Sequence, residues 1–386
     1  MSLIKKIKPY IQQFFERGDI FLLCICIICA LYGTVMVYKT AVGMVSTGTT
    51  DINPTKLVIV QLFSMFLGIV AFVILTFLDG DLLGEQWKLL VVVQGFLLLL
   101  LVFFGVEDNT GNKAWLRFAG IGIQPSEIIK VLYIIVAAKQ MTTLREYKDI
   151  NGFMSVAQMA AHFAIVFVAI VAVSSDLGSA SIILCIFLTM LFALGVRLYW
   201  FAIGGAAVAA AIPLLWNFFL KDYQKNRLKA PYDKTIDPEG YGINWQTSQS
   251  RLTLASGRLT GVDAEHRPTN FIGKHTDFIF SSIGEELGMI GCIVVVILLT
   301  VIIIHCVRMG VHAGRNYDML ICIGVASAVA FQTFINVGMC IGITPVIGIT
   351  LPFFSYGGSS MMTMFAAMGL ISGVKYKLKP ELFSMY

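Results

Sequence analysis

The sequence predicts an all-α integral membrane protein of ten transmembrane helices, with a large extracellular loop between spans seven and eight. Three observations predict it. Hydrophobic residues make up 57% of the 386 and charged residues only 13%, far more apolar than a soluble domain that must cover itself with polar surface. Apolar runs of roughly 20 residues, the length that crosses a hydrocarbon core of about 30 Å, recur along almost the whole chain. Lysines and arginines gather at the ends of those runs and not on one soluble face, so the net charge of +5 reads as topology and not as affinity for nucleic acid.

Each element follows in order. Residues 1–17 space Ile4, Ile7, Ile11, Phe14 and Phe15 helically among Lys5, Lys6, Lys8 and Arg17, which predicts a cytoplasmic amphipathic segment lying in the membrane interface. Ile20 to Val37 is too long for a signal-peptide core and no small-residue cleavage site follows, so it is expected to stay as the first span. Further spans are expected at Leu57–Leu78, Leu89–Val106, Pro125–Ala138, Val156–Val173, Leu177–Val196 and Leu198–Phe219. The eighth ends at Val307, the ninth runs from Met319 to Ile343, and the tenth covers roughly Gly357 to Val374. No room is left for a second large domain, so 1–386 reads as a single polytopic membrane domain.

Ten spans put both termini on one side. That side's short loops and tails hold fourteen Lys and Arg, against Lys39, Lys56, Lys113 and Arg117 on the other, which places both termini in the cytoplasm. The segment 217–276 then lies outside the cytoplasm, with nine basic residues and the turn signal Asp237-Pro238-Glu239-Gly240. A loop of that length in a compact protein is usually functional or disordered. All eight cysteines fall in apolar runs, where each behaves as a small hydrophobe, so neither a disulfide nor a zinc cluster is expected.

Four places carry chemistry. Span four opens Gln124-Pro125-Ser126-Glu127 and then Lys130; proline suits a first helical position and Glu127 suits the first turn. Glu127 and Lys130 share one helical face near the membrane, where an unpaired charge costs about 2.5–3.5 kcal/mol, and a self-satisfying ion pair and a functional pair both fit. Asp176, before Leu177-Gly178, reads as a helix cap. His275-Thr276-Asp277-Phe278 leads to Glu285-Glu286-Leu287-Gly288; Asp277 suits an N-cap as well as catalysis, and Glu285 and Glu286 suit partnership with loop arginines. Asn336 wants an interhelical partner, and the uncharged Pro345–Ser360 block, ending Ser355-Tyr356-Gly357-Gly358, implies irregular backbone buried in protein or facing water.

In this order the blocks resemble the SEDS proteins of bacterial shape, elongation, division and sporulation, of the RodA and FtsW type. The resemblance rests on Gly111 to Trp115, Gln124 to Lys130, Asp176-Leu177-Gly178, Tyr223-Gln224 with Arg227, His275 to Gly288, and Pro345 to Ser360. It implies a ten-span fold in the bacterial cytoplasmic membrane and a peptidoglycan glycosyltransferase that polymerises lipid II on the outer face, releasing a lipid pyrophosphate. It implies Asp277 as the residue most closely tied to activity. Lys130, Glu127, Arg227, Gln124, His275, Glu285, Glu286, Ser355 and Tyr356 are then the expected substrate-binding residues, Lys130 and Arg227 as cations for the leaving group. A divalent cation, Mg²⁺ or Mn²⁺, fits carboxylate and phosphate ligands, and a class B penicillin-binding transpeptidase is the implied partner.

The chain departs from the family pattern at Gly122, where many members carry a basic residue; at Gly261-Val262-Asp263, where Gly-x-Gly is common; and at Phe271-Ile272-Gly273, where Leu-Pro-Glu is common. Two other functions belong with the resemblance, a lipid II flippase and a non-catalytic membrane scaffold for the transpeptidase. A secondary transporter is expected to show repeats and polar breaks near the midplane. The chain shows no repeat, and its carboxylates cluster by the loop.

Overall fold

The structure, a computed structural model, describes residues 12–78, 80–106, 113–118, 121–219, 222–233, 235–262 and 271–383. Most of the expected amphipathic segment, residues 1–11, lies outside the described residues, as do Gly111, Lys221, Asp263 and Glu265. The chain forms α1 (Ile20–Ser46), α2 (Pro54–Phe77), α3 (Gly80–Glu85) and α4 (Trp87–Phe104), then a short hairpin of β1 (Leu116–Phe118) and β2 (Ile121–Ile123). There follow α5 (Pro125–Tyr147), α6 (Phe153–Ser174), α7 (Leu177–Leu194) and α8 (Leu198–Leu214), the last continued by a π-helical turn over Leu215–Phe219. The loop carries α9 (Asp222–Lys229) and α10 (Trp245–Ser256); α11 (Ile279–Val311), α12 (Asn316–Ile341) and α13 (Gly358–Phe383) complete the bundle.

Among the described residues eight helices are long and apolar enough to cross a membrane: α1, α2, α4, α6, α7, α8 with its extension, α11 and α12. The other two expected spans fall on α5 and α13, which are long enough but more polar. Their composition has a physical reason. Residues Glu127, Ile129, Lys130 and Tyr133 of α5 are all buried, and α13 is buried through most of its described length. A helix enclosed by protein can carry polar groups that a lipid-facing helix cannot. A short hairpin between spans three and four adds to this helical fold, its six paired residues zipping antiparallel with Arg117 opposite Gly122.

Glycine lets two helices pack closely. α13 lies along α2, and a Cβ at Gly369 would come within 2.7 Å of the Phe72 backbone, one at Gly373 within 3.0 Å of the Leu75 carbonyl. Small residues four apart let two helices approach where lipid supplies no hydrophobic drive. At one end Asp19 caps α1 and ties three helices together, its carboxylate bonding Lys375 Nζ at 2.8 Å and His305 Nε2 at 2.5 Å while its amide donates to Ser372 Oγ.

Gly288 breaks α11 with φ 64° and ψ −162°, a conformation open essentially to glycine alone. The break frees the amides of Met289 and Ile290, which donate to the carbonyls of Arg258 and Leu259, while Val262 N donates to Glu285 O at 2.9 Å. Residues 257–262 therefore dock along the kink. A Cβ at Gly257 would sit 1.7 Å from Gly284 O, and one at Gly288 2.3 Å from Leu259, so the close approach needs glycine on both sides.

Candidate active site

Asp277 sits in the turn that leads into α11, half-buried, with Phe278 at the N-cap position and no side-chain cap bond there. Three segments fix its backbone. Asn336 Nδ2 of α12 donates to Asp277 O at 2.7 Å and to Ile349 O at 2.6 Å, supplying the interhelical partner that a buried amide needs. Ser355 Oγ donates to Thr276 O at 2.7 Å and accepts from Leu351 N, and Tyr356 N donates to His275 O. Gly348, at φ 70°, would bring a Cβ within 3.8 Å of Asp277 Oδ2.

The Pro345–Ser360 block is irregular backbone, as its glycines and prolines predict, and it is clamped by protein. Gln61 of α2, fully buried, donates to Ser355 O at 3.0 Å and accepts from Gly357 N. Phe353, at φ 67°, is packed where a Cβ on Gly33 of α1 would meet its carbonyl at 2.9 Å. A positive φ on a bulky residue costs of order 1–3 kcal/mol and persists only where the surroundings over-determine it.

A second network joins the same block from α5 and α7. Asp176 caps α7 through Ser179 N at 2.9 Å, as expected, and also accepts from Gln124 Nε2 at 3.1 Å and Ser126 Oγ at 3.0 Å. Gln124 N donates to Ser359 Oγ, and a Cβ on Gly178 would lie 2.6 Å from Ile347 O. Below this, Lys130 Nζ meets Glu127 Oε1 at 2.8 Å with both side chains buried, while Glu127 Oε2 finds no partner among the described residues.

Among the described residues Glu285 and Glu286 pair with lysines. Glu285 Oε2 is 2.7 Å from Lys274 Nζ with both buried, and Glu286 Oε2 is 3.4 Å from Lys39 of α1. Arg227 lies half-buried on α9, and no ion pair or hydrogen bond among the described residues joins it to Asp277. Burial pushes the His275 imidazole down to about 4, its ring 5.8 Å from that of Tyr356. Lys274 and Gln61 are the members that sequence reasoning missed. The signals were a lysine three places before Asp277 and a lone amide in an apolar run.

Among the described residues no group of three or more His, Cys, Asp or Glu side chains could hold a metal ion. Asp277 offers a carboxylate there, and Mg²⁺ commonly takes only one or two carboxylates. In the hairpin Arg117, exposed, is the register partner of Gly122, while a Cβ on Gly122 would meet the Trp115 ring at 3.2 Å.

The cell cycle protein family model that covers FtsW, RodA and SpoVE matches residues 19–380. A probable peptidoglycan glycosyltransferase FtsW from Geobacter metallireducens is 30% identical over 375 residues, 94% of this chain and 96% of that one. The peptidoglycan glycosyltransferase MrdB of Escherichia coli is 30% identical over 75% of this chain and 78% of its own length. One chain of a solved peptidoglycan synthase complex, described as coordinating polymerization and crosslinking, superposes with a TM-score of 0.76 at 26% identity, covering 93% of this chain and 98% of that one. The rod shape determining protein RodA of Thermus thermophilus shares the fold at a TM-score of 0.67 and 24% identity, covering 93% and 96%.

Proposed function

Because this chain belongs to the FtsW, RodA and SpoVE family of cell cycle proteins and is a peptidoglycan glycosyltransferase of the membrane, we propose that it polymerises lipid II at the outer membrane face with Asp277 as general base. The observation that carries this reading is the convergence on one short turn: α12 through Asn336, the 345–360 block through Ser355 and Tyr356, and α11 itself hold the backbone of residues 275–277. A base held on rigid elements can meet an incoming hydroxyl in a fixed geometry.

In this reading the carboxylate of Asp277 takes the proton from a sugar hydroxyl as its oxygen attacks the anomeric carbon of the second lipid II. The bond from that carbon to the lipid pyrophosphate breaks, and attack opposite the leaving group inverts the centre. Arg227 and Arg117 are the cations we assign to the departing pyrophosphate, with Lys130 joining them if phosphate replaces Glu127 as its partner. A divalent cation bound to Asp277 and phosphate oxygens would supply further charge neutralisation. Gln124, Ser355 and Glu285 act through the backbone and ion pairs they hold; Glu286 ties α11 to α1.

The positive-inside count puts both termini in the cytoplasm and the 217–276 segment outside. A class B penicillin-binding transpeptidase is the proposed partner, supported by the likeness to a complex that couples polymerization to crosslinking. The test is purified protein with its partner on lipid II. Asp277→Asn is expected to lower polymer formation by about 10²–10⁴, the usual worth of a general base. Unchanged polymerisation in that variant removes Asp277 from the mechanism; lipid transport without polymer replaces the enzyme with a flippase.

A further inference from the structure

α4, α5 and α6 part at the end of the bundle away from the loop and leave a cavity of about 750 Å³ between them. Its walls are mostly apolar, among them Val91, Leu98, Val136 and Ile165. The gap has a sequence cause: Gly95 and Ala161 line it, and a Cβ built on Gly95 would meet no atom within 4 Å. Trp87 and Ile165, both exposed, stand in its walls, so the cavity is open to the membrane.

Polar groups mark one wall and one end. Gln94 is only 4% exposed, and its Nε2 has no hydrogen-bond partner among the described residues. A buried amide donor left unpaired costs about 1–3 kcal/mol, so it asks for an acceptor. At the mouth stand Lys139 and Lys148; Lys148 Nζ donates to Gln158 Oε1 at 3.5 Å, and no ion pair among the described residues holds either lysine. Lys139 and Thr143 also line a second, polar cavity of about 350 Å³, which Arg315 and Asn316 share with Asp81 and Glu146. Asp81 is taken up by Arg315.

We propose that this is a binding site for an anionic phospholipid of the cytoplasmic leaflet, its acyl chain in the apolar cavity, an ester carbonyl on Gln94 and its phosphate between Lys139 and Lys148. The leaflet follows from the orientation proposed above; the site is independent of the glycosyl transfer. Charge argues for an anionic headgroup, because basic pockets between spans on the cytoplasmic side bind such lipids.

The experiment reconstitutes the purified protein in vesicles of equal phosphatidylglycerol and phosphatidylethanolamine with matched acyl chains, strips bulk lipid, and counts what stays bound by native mass spectrometry. The wild-type chain is expected to retain phosphatidylglycerol in preference. Gly95→Leu fills the void, improves helix propensity, and is expected to lose most of that lipid. Lys139→Gln with Lys148→Gln removes both cations while leaving the void open; with each basic residue near the surface contributing about fivefold, the preference should fall about 25-fold. Equal retention of both lipids by the wild type, or undiminished phosphatidylglycerol in Gly95→Leu, overturns the proposal. So does a Gly95→Leu variant that keeps its lipid and instead loses a co-purifying membrane protein, which assigns the groove to a helix.

Discussion

Replacing Lys274 by methionine tests whether the turn that carries Asp277 is held by charge. Lys274 Nζ lies 2.7 Å from Glu285 Oε2, and the two side chains are 2% and 4% exposed. Methionine keeps most of the stem's packing while removing the ammonium, so the change isolates the charge. Glu285 would be left buried and unpaired, with its Oε1 already lacking a partner among the described residues. Removing one member of a buried pair costs about 3–5 kcal/mol, whereas replacing both by groups of similar shape is often close to neutral. Lys274→Met alone is therefore expected to lose about 3–5 kcal/mol, and Lys274→Met with Glu285→Gln to recover most of it. Denaturant titration of the four proteins, wild type, two singles and the double, gives the coupling directly. Polymerisation should fall with the single variant and return with the double, because Ser282 Oγ still bonds Lys274 O at 3.0 Å and keeps the turn in place. A loss under about 1 kcal/mol in the single, or a double as damaged as the sum of the singles, refutes the reasoning.

His275 gives a pH signature. Its folded value of about 4 lies below the ordinary 6.5 because burial disfavours the imidazolium, so the unfolded chain binds a proton that the folded chain refuses. Stability should be unaffected above about pH 6.5 and fall as pH drops from there towards about 4; His275→Gln should flatten that part of the unfolding profile, and an unchanged profile rules the group out. Gly288→Ala forces a side chain into an ε-region conformation and against the Leu259 backbone, with a strain of about 1–3 kcal/mol before any clash. Faster proteolysis within 257–262 is the readout, and unaltered cleavage would show that the loop does not depend on the kink. Arg117→Gln should raise the lipid II KM about 3–10-fold with little change in kcat, the worth of a partly solvated charge-assisted contact; an unaltered KM removes Arg117 from the site.

Much of the architecture was legible because hydropathy and capping are local. Ile20, Pro125, Leu177 and Leu198 begin helices where the runs and caps said they would, and Asp176 caps α7 through its own Ser179 amide, three residues away. The boundaries that slipped were those where nothing local stops a helix. α1 runs on to Ser46 and α5 to Tyr147, since a polar residue that closes an apolar run does not by itself stop a helix. The resemblance pointed to Asp277, yet residues alone left its capping alternative standing. The assignment of Phe278 as the cap needed coordinates.

What the sequence determined by itself is which segments lie in the membrane, which ends gather positive charge, and which blocks carry the polar groups. Tertiary structure decided who holds whom: Lys274 with Glu285, Asn336 with the carbonyls of Asp277 and Ile349, Gln61 with the turn at Ser355, and Arg117 opposite Gly122. Gln61 and Ser355 are 294 positions apart, and no periodicity links them. A buried polar group must find a partner, but its own neighbours in the chain do not say which one; only the packing of helices against each other brings the acceptor within 3 Å.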